Sequence, residues 1–276
     1  MALTAFAPAK WAAGVFVRLR KALVFGSVAN REFEGELTMG DRVNINEVSA
    51  VTVGTYTKYT DISFQEPDAA TKTLYIDQAS YAAVSVDRID QVQSNANVFD
   101  ALVSEAAYAL ADTVDGFLAG LYTEAGTTVT ALTVTAGNCL TNLSNFSLAL
   151  DEANVPSTDR FIIIPPWYHT MVLQAATGII GHTGVPKVFD NGMIAQGFVG
   201  NLFGMNILMS NNVNNNGTVW NVMALNRQAL AYVGQIAETQ FIQRENVFDR
   251  AIKMLYVYGG KTVRPNAMVK CACTKG

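Results

Sequence analysis

Residues 43–86 constrain this chain more than any other stretch. VNINEVSAVTVGTYTKYTDISF (43–64) and TLYIDQASYAAVSV (73–86) are rich in Val, Ile, Thr and Tyr and alternate in polarity, the pattern of two long β-strands. Between them QEPDAATK (65–72) carries a proline and charged residues and nothing large enough to pack, so it reads as a solvated hairpin tip. A two-stranded ribbon is marginal by itself in water, and this one has few large side chains to bury. It must lean on another surface, such as a second subunit.

The next segment, NVFDALVSEAAYALADTVDGFLAGLY (97–122), is the clearest helix. Val98, Leu102, Ala106, Ala109/Leu110, Val114, Phe117 and Leu121 keep one apolar stripe, while Asp100, Ser104, Asp112 and Asp115 fall mostly off it. Asn97 and Asp100 suit a capped, acid-rich N-terminus. About 25 helical residues span ~37 Å, the length of a spine. Upstream, residues 9–29 place Trp11, Val15, Arg18/Leu19 and Ala22/Leu23 at three- and four-residue steps, which predicts an amphipathic helical arm after Pro8.

Downstream, residues 127–158 are rich in Thr, Asn and Ser, with a short helix expected around NFSLALDEA. Phe161–Ile164, stopped by Pro165 and Pro166, reads as a buried strand followed by a helix. Seven glycines between Gly178 and Gly204 mark a loop before the strand MNILMS, and NNVNNNGT (211–218) is a turn cluster. The terminal strands VWNVMALN, ALAYVGQ, AIKMLYVYGGKTVRP and MVKCAC follow without an internal repeat or linker.

The 276 residues are 50% apolar and only 15% charged, which excludes a disordered tail and a charged coiled coil. Net charge is −4, too acidic for a chain whose main work is gripping nucleic acid. It is unevenly spread: Lys10, Arg18, Arg20, Lys21 and Arg31 face no acid within residues 1–31, so a basic arm precedes an acidic body. WAAGVFV (11–17) is far too short to span a membrane, and the charges after it reverse the order of a secretion signal. With no secretion signal expected, NLS (142–144), NFS (145–147) and NGT (216–218) read as chance matches to the glycosylation pattern.

Candidate chemistry is thin. His169, in PPWYHTM, would need a carboxylate and a nucleophile that the sequence does not specify, so a structural role is expected. His182 reads as a loop residue, and with three scattered cysteines no metal site or disulfide framework is expected. Cys271 and Cys273 share one strand face and read as apolar packing, and Cys139 stands alone. The glycines match no phosphate-binding motif, and no nucleophile elbow occurs. No catalytic residue, cofactor or metal is expected.

The order of elements nonetheless resembles a known family. NREFEGELTMGDRVNIN (30–46), DISFQEPDAATKTLYIDQASY (61–81), FIIIPPWYHTMV (161–172), GMNILMSNNV (204–213) and AIKMLYVYGGKTVRPNAMV (251–269) run in the order of the major capsid protein of tailed bacteriophages, with the Hong Kong 97-type fold. The resemblance implies an α+β chain. Its expected parts are an N-arm (1–35), an extended loop (36–80), a peripheral domain (81–130 and 235–276) with the spine helix 97–122, and an axial domain (131–234).

It further implies self-assembly into pentamers and hexamers that enclose double-stranded DNA, first in the host cytoplasm and finally as the virion. The partners implied are a separate scaffolding protein, a portal protein and nonspecific contact with packaged DNA, with room for a decoration protein and no membrane. Lys58, Asp61, Glu66, Asp68 and Lys72 are expected to meet a neighbouring subunit. Some relatives join a loop lysine to a neighbour's asparagine, but Lys58 and Lys72 have no recognisable partner, so cross-linking is not expected. Two alternatives stand beside this reading: an encapsulin-type nanocompartment shell and a soluble hydrolase built on His169.

Overall fold

A computed structural model describes residues 23–33, 42–48, 51–59, 61, 64, 69–87, 98–176, 198–242 and 249–276. In chain order its elements begin with α1 (Phe25–Val28), β1 (Arg42–Val48), β2 (Ala69–Tyr75), β3 (Gln78–Asp87) and α2 (Val98–Gly120). Next come β4 (Thr127–Val134), α3 (Cys139–Glu152), β5 (Arg160–Ile164), α4 (Pro166–Ala176), β6 (Phe198–Leu202) and β7 (Met205–Met209). The chain closes with β8 (Val219–Asn226), β9 (Leu230–Ile242), β10 (Asp249–Thr262) and β11 (Met268–Lys275). The expected spine is α2, 23 residues long.

The strands form three sheets: β1-β2, β3-β10-β9, and the six-stranded β4-β11-β8-β5-β7-β6. The large sheet is buried on both faces, and period-2 alternation divides its residues between two cores. Ile162, Ile164, Val222, Ala224, Ile207 and Cys271 face α3 and α4, where Leu143, Phe146, Leu150, Tyr168 and Val172 cover them. Ile163, Met223, Leu225 and Met268 face the other way, toward Phe25 and Val28 of α1 and Val114 and Leu118 of α2. The strand-then-helix reading of 161–176 therefore holds, and α3 starts earlier than the expected short helix.

Arg160 fastens the two layers. Its Nη1 donates to Asp151 Oδ1 at 2.7 Å, Nε to the Pro156 carbonyl at 2.8 Å and Nη2 to the Val155 carbonyl at 2.5 Å, so the end of α3 is tied to the start of β5.

The hairpin differs from expectation. β1 pairs with β2 from Arg42↔Tyr75 to Val48↔Ala69, so Ala69–Lys72 are strand residues and the tip lies farther out. TLYIDQASYAAVSV is two strands, because the chain leaves the ribbon after Tyr75 and β3 pairs with β10 instead. β11 is likewise not in the sheet of β3, β9 and β10, although its Met268 packs toward α2. It lies in the six-stranded sheet, parallel to β4 and antiparallel to β8, whereas the sequence reading grouped all of 235–276 with the spine.

Asp115, expected off the apolar stripe, is buried. Its carboxylate accepts from the Gly26 N–H at 3.1 Å and from Asn212 Nδ2 at 2.9 Å, because α1 and the 210–213 segment cover a second face of α2. Asn97, residues 9–22 of the predicted arm helix, and the glycine-rich loop 177–197 with His182 lie outside the described residues.

Candidate inter-subunit surfaces

The ribbon is rooted firmly. Val43 and Leu74 pack on Ala231 and Val233 of β9, with Phe33, Ile45, Ile76 and Val263 around them. Lys261 Nζ donates to the Thr73 carbonyl at 3.0 Å, and Lys72 Nζ to the Val263 carbonyl at 2.6 Å. A Cβ on Gly259 would stand 2.1 Å from the Tyr75 carbonyl oxygen, so only glycine lets β10 approach the ribbon this closely.

Beyond the root the described side chains are open to solvent. Residues 51–58 are all exposed, and the large apolar side chains are bare: Val53 is 94% exposed, Tyr59 91% and Phe64 95%, with Val51 and Tyr56 also open. Tyr59 has φ of 68°, in the left-handed region, and Lys58 Nζ lies 5.0 Å from its ring centroid, a cation–π contact. A second bare surface lies on the face of the three-stranded sheet turned away from α2. Tyr81 of β3 stands directly opposite Leu255 of β10, and both are exposed.

Of the residues expected to meet a neighbour, Lys58 and Asp61 are exposed on the projection. Lys72 is half-buried in the root and tied to its own chain through Val263, which corrects its placement at the tip. Glu66 and Asp68 lie outside the described residues. The sequence reading named the charges and passed over Val51, Val53, Tyr56, Tyr59 and Phe64. Their signal was an alternating apolar pattern in a ribbon with few large side chains to bury.

The remaining candidate side chains are buried or half-buried. The three thiols are buried; burial pushes the Cys139 thiol up, and the Cys271 contact at 3.6 Å together with burial pushes Cys273 up. Burial raises the Tyr168 phenol, whose oxygen lies between Asn142 Nδ2 and the Cys139 carbonyl, both at 3.1 Å. His169 is half-buried on α4, and burial lowers its pKa, favouring the neutral ring at pH 7. Among the described residues no His, Cys, Asp or Glu group of metal-binding size occurs, and no helix is long and apolar enough to cross a membrane.

A two-faced core thus carries a rooted projection with bare apolar side chains and an open sheet face. Residues 71–271 match the family described as phage capsid protein, and the chain belongs to that family. None of the curated proteins matches it. Among solved structures, a chain of Mycobacterium phage Che8 is 28% identical, with a TM-score of 0.81 and 98% of each chain covered.

The capsid of cyanophage P-SCSP1u has a TM-score of 0.78 at 17% identity, covering 98% of this chain and 94% of that one. A chain from the capsid of a native GTA particle reaches 0.70 at 9% identity, with 98% and 96% covered. The chain thus has the Hong Kong 97-type α+β fold, and it is a major capsid protein of an icosahedral shell and a virion component.

Proposed function

We propose that copies of this chain form pentamers and hexamers whose shell encloses double-stranded DNA, each copy laying its 51–64 projection on a neighbour. The observation that carries this is the exposure of Val53, Tyr59 and Phe64 on a ribbon whose root packs on β9. An identical chain offers Tyr81 and Leu255 as an apolar counterpart, so the contact is heterologous: one surface meets a different surface of the next copy, which generates rings. Lys58 and Asp61 flank the contact and set its register.

The sheets support a division into four parts: an N-arm, a loop rooted at β1-β2, a peripheral unit of β3, α2, β9 and β10, and an axial unit holding the six-stranded sheet with β11. A separate scaffolding protein, a portal and a decoration protein fit a shell assembled in the host cytoplasm. The role is structural and not enzymatic. The basic arm faces the genome, with weak nonspecific contact because the subunit is acidic overall.

Electron microscopy of the purified protein after sizing tests the reading. Closed shells of pentamers and hexamers containing DNA are expected. Shells loaded with protein cargo would point to a nanocompartment instead, and a persistent small oligomer even with scaffolding protein supplied would overturn the assignment.

A further inference from the structure

The register of the three-stranded sheet lays out its open face row by row. Tyr81, Leu255 and Glu238 stand side by side on β3, β10 and β9; Ala83, Lys253 and Gln240 form the next row, and Ser85, Ala251 and Ile242 the one after. Residues directly opposite in an antiparallel sheet share a face, and Tyr81, Ala83, Ser85, Lys253, Leu255 and Glu238 are all exposed on this one. Gln240 Nε2 donates to Glu238 Oε1, which holds that carboxylate beside the Lys253 row. Where the small side chains of Ala83, Ser85 and Ala251 meet, the surface sinks into a hollow of about 220 Å³ bounded by Ile242 and Lys253. In the row beyond it Asp87 is half-buried and Asp249 buried, so neither offers an open charge to this surface.

The face therefore presents an acid, a base and an apolar hollow in that order. The projection carries the complement in chain order: Lys58, Asp61 and Phe64, all three exposed. A second copy is the occupant these features select, because each open charge on the rows meets its opposite and the hollow meets a bare ring. Laid the other way, the projection would put Phe64 beside the Glu238 carboxylate and the Lys58 ammonium over the apolar hollow.

We infer that Lys253 and Glu238 are the residues by which one copy selects the projection of the next, Lys253 taking Asp61 and Glu238 taking Lys58 while Phe64 enters the hollow. The inference rests on the shell reading above and gives its contact named partners. An exposed ion pair adds little affinity by itself, but like charges brought face to face across an interface are strongly unfavourable. The two pairs thus act chiefly by rejecting other placements of an otherwise adaptable apolar segment.

Charge exchange in the full-length chain is the test. Asp61→Lys and Lys253→Asp each set like charges against one another, and each is expected to raise the concentration at which shells form about tenfold or more. Denaturation midpoints should stay at the wild-type value, because both residues are exposed. The chain carrying both substitutions is expected to return to within about threefold of wild type, the signature of a direct pair. Equal mixtures of the two single variants are expected to give hybrid oligomers at concentrations where each alone stays a subunit, since each supplies the charge that the other lacks. Single variants that assemble like wild type, or a double variant no better than either, would overturn the inference and leave the shell in place. Rescue in the double variant without hybrids in the mixture would put the pair within one chain and overturn it as well. Absence of shells from the wild type itself would take away the shell reading, and the inference with it.

Discussion

The six-stranded sheet and the 51–64 projection spend the same kind of residue on opposite ends. Ile162, Ile163 and Ile164 are fully buried, whereas Val53, Tyr59 and Phe64 stand more than nine-tenths exposed. Both segments are rich in apolar β-forming residue types, so composition does not separate them. The difference lies in topology. The chain returns α3 and α4 to one face of the sheet and α1 and α2 to the other, whereas the described side chains of the projection stand exposed. Stability is concentrated where the chain supplies its own second layer, and association where it leaves that layer to another copy.

Substitutions in the two regions should therefore separate folding from assembly. The largest effect on folding belongs to Phe146→Ala, which empties a fully buried site under the sheet and should cost about 3–5 kcal/mol in urea denaturation, with particle yield falling in parallel. A loss below about 1 kcal/mol would mean that this core is not the stabilising one. Arg160→Ala should come next at about 2–3 kcal/mol, since a buried guanidinium loses its carboxylate and two carbonyl partners together. If Arg160→Ala matches wild type, the clamp between α3 and β5 contributes nothing measurable.

A smaller effect concerns pH. Burial raises the Asp115 carboxyl above its ordinary 3.8, against the hydrogen bonds from Gly26 and Asn212 that lower it. Between the two values the folded chain holds a proton that the unfolded chain has lost, so Asp115 makes stability fall as pH rises through that window and leaves it flat above. Asp115→Asn should remove that slope in denaturation curves taken at successive acidic pH values. An identical slope in both proteins would assign the pH dependence elsewhere.

How far the sequence revealed this division depends on whether the signal is local. α2 and the β5-to-α4 unit were legible because periodicity and two prolines act within a few residues. The first turns of α3 were not, since CLTNLS has weak helix formers and is held helical by Cys139 and Leu143 packing under the sheet. The break after Tyr75 was missed because Ile76-Asp77 carries no glycine or proline, and alternation records which face a residue takes but not which strand it pairs with. Sheet membership of β11 is nonlocal for the same reason. At the candidate interface, charges drew attention because they are conspicuous in a loop, while the bare aromatics became recognisable only once the fold showed them exposed.

The smallest effect on folding should accompany the greatest loss of assembly, in a chain carrying Tyr59→Asn and Phe64→Ser. Asparagine tolerates the left-handed backbone at Tyr59, and neither ring is buried in the subunit, so denaturation midpoints should shift by less than about 0.5 kcal/mol. If a neighbour covers both rings, each contact loses about 3 kcal/mol or more, a weakening on the order of a hundredfold per subunit contact. Sedimentation and light scattering across a concentration series should show soluble subunits where wild type forms shells. Shells at the wild-type threshold would mean that the projection is not an assembly surface, and a folding loss above about 1 kcal/mol would mean that its rings pack within their own chain. Only an intact subunit that no longer assembles keeps the two regions as distinct in function as they are in burial.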